Sequence, residues 1–248
     1  DCSSRGLGDV YKRQAYSNAE LEERLLVWMN DAKRVFHRGG TNTELDSLVD
    51  SAVRRRDRAR QQFGTGPVAV EDPSGLLAEL RLRKSASEID QLVYASKVAS
   101  LAHELAMRHS RKGITEYQLQ GVIEGFFAYA GTAGWSYPSI VGCGENATIL
   151  HYKTNSDVCG DDEVILIDAG AEFRGYASDI TRSWPISGTF TEAQKEIYEV
   201  VLNAQLAGID ACQVGNPYSA PHEAARRVMA EGLIRLGVIS QTVEEALD

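Results

Sequence analysis

The sequence predicts an α+β fold: an antiparallel sheet with helices on one face, preceded by a smaller α/β unit. Three observations carry this reading. Capping boxes open helices at Ser85-x-x-Glu88, Thr115-x-x-Gln118 and Thr191-x-x-Gln194. Apolar, strand-like runs lie between the second box and the third. The order is helix pair, strands, helix pair, which suits helices layered on a sheet.

Each element follows from local pattern. Residues 1–14, DCSSRGLGDVYKRQ, are polar and aperiodic. They are expected to be read-through or non-native sequence and are set aside from fold reasoning. Residues 20–30 show helical periodicity, and KRVFH at 33–37 reads as a short strand. Residues 43–63 read as a polar, Arg-rich helix with Leu45, Leu48, Val49, Ala52 and Val53 inward. Pro67 and Pro73 punctuate GTGPVAVEDPSG into turn, strand and turn. Residues 76–83 are short and mixed, and a domain boundary is expected near 81–87. The Ser85 box opens a helix to about residue 111, stopped by Lys112-Gly113. The Thr115 box opens a second, with Leu119, Val122, Ile123, Phe126 and Phe127 inward. Strand-like stretches follow: YPSIVGCGENATILHY, EVILIDAGAE and RGYASDITRSWPIS. Helices are expected at 191–211 and 218–236. Thr242-x-x-Glu245 opens one more just before Asp248, which suggests a partial reading frame.

Composition narrows the class. The chain has 248 residues, 43% hydrophobic and 25% charged, which fits one or two globular domains. Lys plus Arg total 26 against 35 Asp plus Glu, a net charge of −9, which argues against nucleic acid as the main partner. The cluster Arg54, Arg55, Arg56, Arg58 and Arg60 reads as a solvated helix face. No apolar run is long enough for a membrane helix, and no signal peptide is visible, so no membrane partner is expected. Cys2, Cys143, Cys159 and Cys212 show no CxxC spacing. They read as reduced thiols of a cytoplasmic protein, with a Cys143–Cys159 disulfide the disfavoured alternative.

The chemistry concentrates in 163–184. If Phe173-Arg174 form the hairpin tip, Asp168 and Asp179 face each other with β-carbons roughly 5 Å apart. Two carboxylates that close repel unless a cation joins them. Thr181 then lies on the same face, as a hydrogen-bonding neighbour behind the ligands. The alternative is a turn-capping Asp and a solvated Asp, with a bulge shifting the register. Oxygen ligands suit Mn²⁺ or Mg²⁺, and added imidazole suits Zn²⁺ or Co²⁺. His37, His103, His109 and His222 have ordinary structural readings. His151 stands apart because it ends an apolar run just upstream of the Asp strand, although a core histidine is the commoner reading of such a residue.

At this point SYPSIVGCGENATILHY and LIDAGAEFRGYASDITRSWPISGTFT resemble the catalytic domain of the aminopeptidase P family, the Xaa-Pro aminopeptidases of the pita-bread metallopeptidases. The resemblance implies that residues 83–248 are the first half of a pita-bread domain and 15–82 the tail of its N-terminal domain. It implies removal of an N-terminal residue preceding proline by a water activated at two divalent ions, usually Mn²⁺. Asp168 and Asp179 match two metal ligands, Asp179 bridging. His151 matches a histidine that binds substrate and steadies the tetrahedral intermediate, and Tyr137 a tyrosine of the substrate pocket. The family often forms homo-oligomers. Its remaining ligands, one His and two Glu, match nothing before Asp248, so the chain alone is expected to be inactive. Prolidase is the nearest rival. A metal-free binding module and a creatinase-like hydrolase are others, both disfavoured by the Asp pair.

Overall fold

The computed structural model describes residues 16–248, so the reading of 1–14 lies outside the described residues. The chain divides between Lys84 and Ser85 into two compact units.

The first unit holds α1 (Leu21–Trp28), β1 (Arg34–Phe36), α2 (Thr43–Phe63), β2 (Ala69–Glu71) and α3 (Ser74–Leu82). β1 and β2 pair in parallel, Val35 opposite Val70. Met29, Val49 and Ala52 form its small core, with Leu25, Leu26 and Val35 against them. The Asn42 side chain caps α2 and Gly64, at φ +75°, ends it. The Arg cluster is not uniformly solvated. Arg56 donates to the Leu26 carbonyl at 2.7 Å and to Asn30 Oδ1 at 3.0 Å, strapping α2 to the end of α1. The mixed stretch at 76–83 is largely helical because Asp72 Oδ1 accepts the Ser74 N–H at 2.8 Å, starting α3.

The second unit opens with α4 (Ala86–His109) and α5 (Glu116–Tyr129), each entered through the expected capping box. Then come β3 (Gly134–Trp135), β4 (Ile140–Cys143), β5 (Val164–Ala169), β6 (Ala171–Phe173), β7 (Tyr176–Ala177) and β8 (Ile180–Pro185). They form two antiparallel three-stranded sheets, ordered β3-β6-β7 and β4-β5-β8. β5 alternates, so Ile165, Ile167 and Ala169 enter the core with Leu119, Ile123 and Phe127 of α5 and the alanines of α4. Trp184 of β8 donates from its indole N–H to Ser110 Oγ at 2.9 Å, fixing the far end of the sheet to α4. α6 (Glu192–Asp210) and α7 (Ala220–Arg235) pack together through Gly232, where a β-carbon would lie 2.4 Å from Val200. α8 (Val243–Leu247) begins at the Thr242 box. No described helix is long and apolar enough to cross a membrane.

Two sequence readings change here. The strand-like stretch ending at Tyr152 is a strand only over Ile140–Cys143; a 3₁₀ turn, Gly144–Thr148, then carries the chain out of the sheet. Close backbone approach explains the exit: a β-carbon on Gly142 would meet the Asn146 carbonyl at 2.8 Å. Cys143 and Cys159 are paired rather than reduced, their α-carbons 5.6 Å apart, while Cys212 is free and exposed. The α4–α5 junction draws the ends of that loop together. Glu116 holds the Cys143 amide, and Cys159 exchanges backbone bonds with Gly113 and Ile114.

Candidate metal centre

The hairpin tip is Arg174-Gly175, not Phe173-Arg174. Both residues have positive φ, +52° and +84°, as a two-residue turn with right-handed strand twist requires, and Gly takes the second position without strain. The pairing therefore moves, and Asp168 faces Thr181. Asp179 follows as a diagonal neighbour on the connection between β7 and β8. The shift preserves parity, so both acids remain on the sheet face opposite the α4–α5 core.

What joins them is Tyr137. Its hydroxyl donates to Asp168 Oδ1 and lies 3.0 Å from Asp179 Oδ1, so one proton serves two carboxylates. Burial first, then these two acceptors, push the phenol far above the ordinary tyrosine range and keep it protonated. Thr181, expected to support the ligands, stands beside Asp168 without a hydrogen bond to it. The strand crossing places Tyr137. The Ser136 N–H donates to the Gly170 carbonyl at 2.8 Å and Ser136 Oγ to the Ser178 carbonyl at 2.9 Å. Such an approach tolerates only glycine at 170, where a β-carbon would fall 1.8 Å from the Ser178 oxygen.

Neither acid is ion-paired with a Lys, Arg or His among the described residues. Two carboxylates sharing one hydroxyl proton leave negative charge that a divalent cation would balance, and their oxygens are hard donors of the kind such ions prefer. The donor set is partial: no group of three or more His, Cys, Asp or Glu converges among the described residues. The acid-bearing face opens on a cleft of about 920 Å³ lined by Leu166, Thr181 and Ser183 of the sheet and Phe190, Ile197 and Val201 facing them. The cleft thus reaches the residue opposite Asp168.

His151 is not in this cluster. It is exposed, at φ +57°, on the loop after the 3₁₀ turn, and makes no hydrogen bond to either acid. The sequence reading passed over Glu116. First-turn acids normally sit in water at a helix N-terminus, yet Glu116 is fully buried and gathers four donors from the His151 loop. Only the tertiary fold identifies it.

A sheet face with paired carboxylates, opposite a core of two capped helices, is the arrangement of a domain that could hold a divalent cation. The sequence pattern of metallopeptidase family M24 matches residues 90–243, and the chain belongs to that family. It is 36% identical to the Xaa-Pro aminopeptidase of Escherichia coli over 94% of this chain and 53% of that protein, and 34% identical to the Haemophilus influenzae Xaa-Pro aminopeptidase over 95% and 52%. The fold matches Pseudomonas aeruginosa aminopeptidase PepP, with TM-score 0.89, 38% identity, and 95% of this chain and 53% of that one covered. It also matches Escherichia coli aminopeptidase P in complex with substrate, with TM-score 0.88, 37% identity, and 94% and 53% covered. The chain spans about half the length of the curated relatives it matches.

Proposed function

We propose that the complete protein is a metal-dependent aminopeptidase that removes the N-terminal residue from peptides with proline in second position. The observation that carries this is the Tyr137 hydroxyl bracketed by Asp168 and Asp179 on the open sheet face. Its similarity to Xaa-Pro aminopeptidases supports the substrate class. A Zn-substituted aminopeptidase P in complex with product supports a divalent-ion site in that protein. For this protein two divalent ions are proposed, Mn²⁺ foremost, with Zn²⁺ or Co²⁺ able to replace it.

Asp168 and Asp179 would hold the ions, with further ligands from outside the described residues. When bound, such ions polarise a scissile carbonyl and lower the pKa of a shared water. Asp168 is fixed by the β5–β8 ladder, and Asp179, on the connection between β7 and β8, would supply the second carboxylate. Tyr137 keeps its proton and holds the two carboxylates in register. His151, exposed on its loop, can present an imidazole N–H to the carbonyl oxygen as negative charge develops there. Loss of such a donor lowers turnover about 10²–10³-fold.

The test uses the complete reading frame carrying this chain, assayed for release of the N-terminal residue from an Xaa-Pro peptide with added Mn²⁺. Activity is expected, and Asp179→Asn should abolish it and weaken Mn²⁺ binding measured by calorimetry. His151→Ala should spare binding and lower turnover. A fully active Asp179→Asn enzyme would overturn the assignment.

A further inference from the structure

Glu116, the first residue of α5, is fully buried, and each of its four acceptor positions meets a donor. Oε1 accepts the Cys143 N–H at 2.8 Å and Asn146 Nδ2 at 3.0 Å. Oε2 accepts the Tyr152 hydroxyl at 2.9 Å and the Asp157 N–H at 3.0 Å. All four donors lie in one stretch, 143–157, and Glu116 also donates its own N–H to the Asp157 carbonyl at 3.0 Å. A helix cap needs none of this, because Gln118 Oε1 already accepts the Thr115 N–H at 3.0 Å.

The same stretch is held at a second point. Asn155, itself at φ +47°, accepts the Val141 N–H and donates to the Ser139 carbonyl and to Gln120 Oε1. The Cys143–Cys159 disulfide closes its base. Between these anchors the chain is pushed outward: Leu150 is 86% exposed and Ile149 52%. His151 follows in left-handed backbone geometry, which a non-glycine residue holds only when its surroundings impose it. Tyr152, the next residue, turns inward onto Glu116. One residue points out because its neighbour is drawn in.

We propose that Glu116 is a positioning residue for His151. It fixes the 143–157 loop in the geometry that presents the imidazole, acting through Tyr152 and the Cys143 and Asp157 amides. The inference rests on the role given to His151 above.

Glu116→Gln keeps the shape but places an amide N–H₂ against a backbone N–H, that of Cys143 or Asp157, which can only donate, while Tyr152→Phe removes one arm and leaves the core filled. In the complete reading frame, each should lower kcat about 10–100-fold, as for groups that orient a functional histidine, with KM and Mn²⁺ binding nearly unchanged. In a His151→Ala background neither should lower kcat further. A merely structural Glu116 would lower it additively, and that result overturns the proposal while leaving the aminopeptidase reading intact. If Glu116→Gln does not fold, Tyr152→Phe decides the same cycle alone.

If His151→Ala keeps full turnover, or the protein has no activity, the functional reading fails. Amide exchange then decides the positioning itself. Faster exchange confined to 143–157 in Tyr152→Phe, with β5 and β8 unchanged, supports it, and unchanged exchange overturns it.

Discussion

Gly170→Ala tests whether the site is built by backbone crossing. The added β-carbon would lie 1.8 Å from the Ser178 carbonyl oxygen and 2.6 Å from Ser136 Oγ. The nearer neighbour is backbone and cannot rotate away, so the strands must separate by more than an ångström. Overpacking of this kind destabilises by about 1–3 kcal/mol. The two Ser136 bonds across the crossing are lost as well, each about 1 kcal/mol net. The expected total is about 3–5 kcal/mol. For a unit of this size that corresponds to about 6–20 °C in Tm, read by scanning calorimetry. Gly121→Ala is the internal control. Gly121 lies exposed within α5, nothing would touch its β-carbon, and alanine there should stabilise by about 1 kcal/mol through helix propensity. A Gly170→Ala protein melting with the parent, or a shift of the same sign in both variants, would refute the reasoning.

Other outcomes follow from the same geometry. The raised pKa of Tyr137 means the unfolded chain releases that proton first, so its share of stability is intact below about pH 10 and falls as pH rises further. Urea titrations between pH 8 and 11 should show this decline, and Tyr137→Phe should flatten it. Tyr152, raised by burial and then by its bond to Glu116, contributes with the same sign. Non-reducing proteolysis of the folded chain should yield a Cys143–Cys159 cross-linked peptide by mass spectrometry, with Cys212 outside it. Its absence would return the loop to two thiols.

Much of the framework was legible because it is encoded locally. The capping boxes at Ser85, Thr115, Thr191 and Thr242 each satisfy orphan amides with residues three apart, so short sequence is enough to place the helix starts. Parity along β5 separates Ile165 and Ile167 from Asp168 whatever its partner, so the acid pair was correctly put on one face even with the wrong hairpin tip. Which residues touch was not legible. The register depended on Arg174 accepting a left-handed backbone, and propensity disfavours that choice. The disulfide depended on the α4–α5 junction gathering both cysteines.

Chain order and periodicity by themselves determined the α+β layering, most of the helix starts and the placing of Asp168 and Asp179 on one face, whereas Tyr137 and the role given to His151 came only from the family resemblance. The tertiary structure alone decided that Tyr137 bridges the acids, that Thr181 stands beside rather than bonds Asp168, and that Glu116 is buried beneath the His151 loop. The reason is range. Caps and alternation act over two to four residues, whereas Tyr137 meets Asp179 across 42 positions and Glu116 meets Tyr152 across 36. The first of these exists only once Gly170, without a side chain, lets two strands cross.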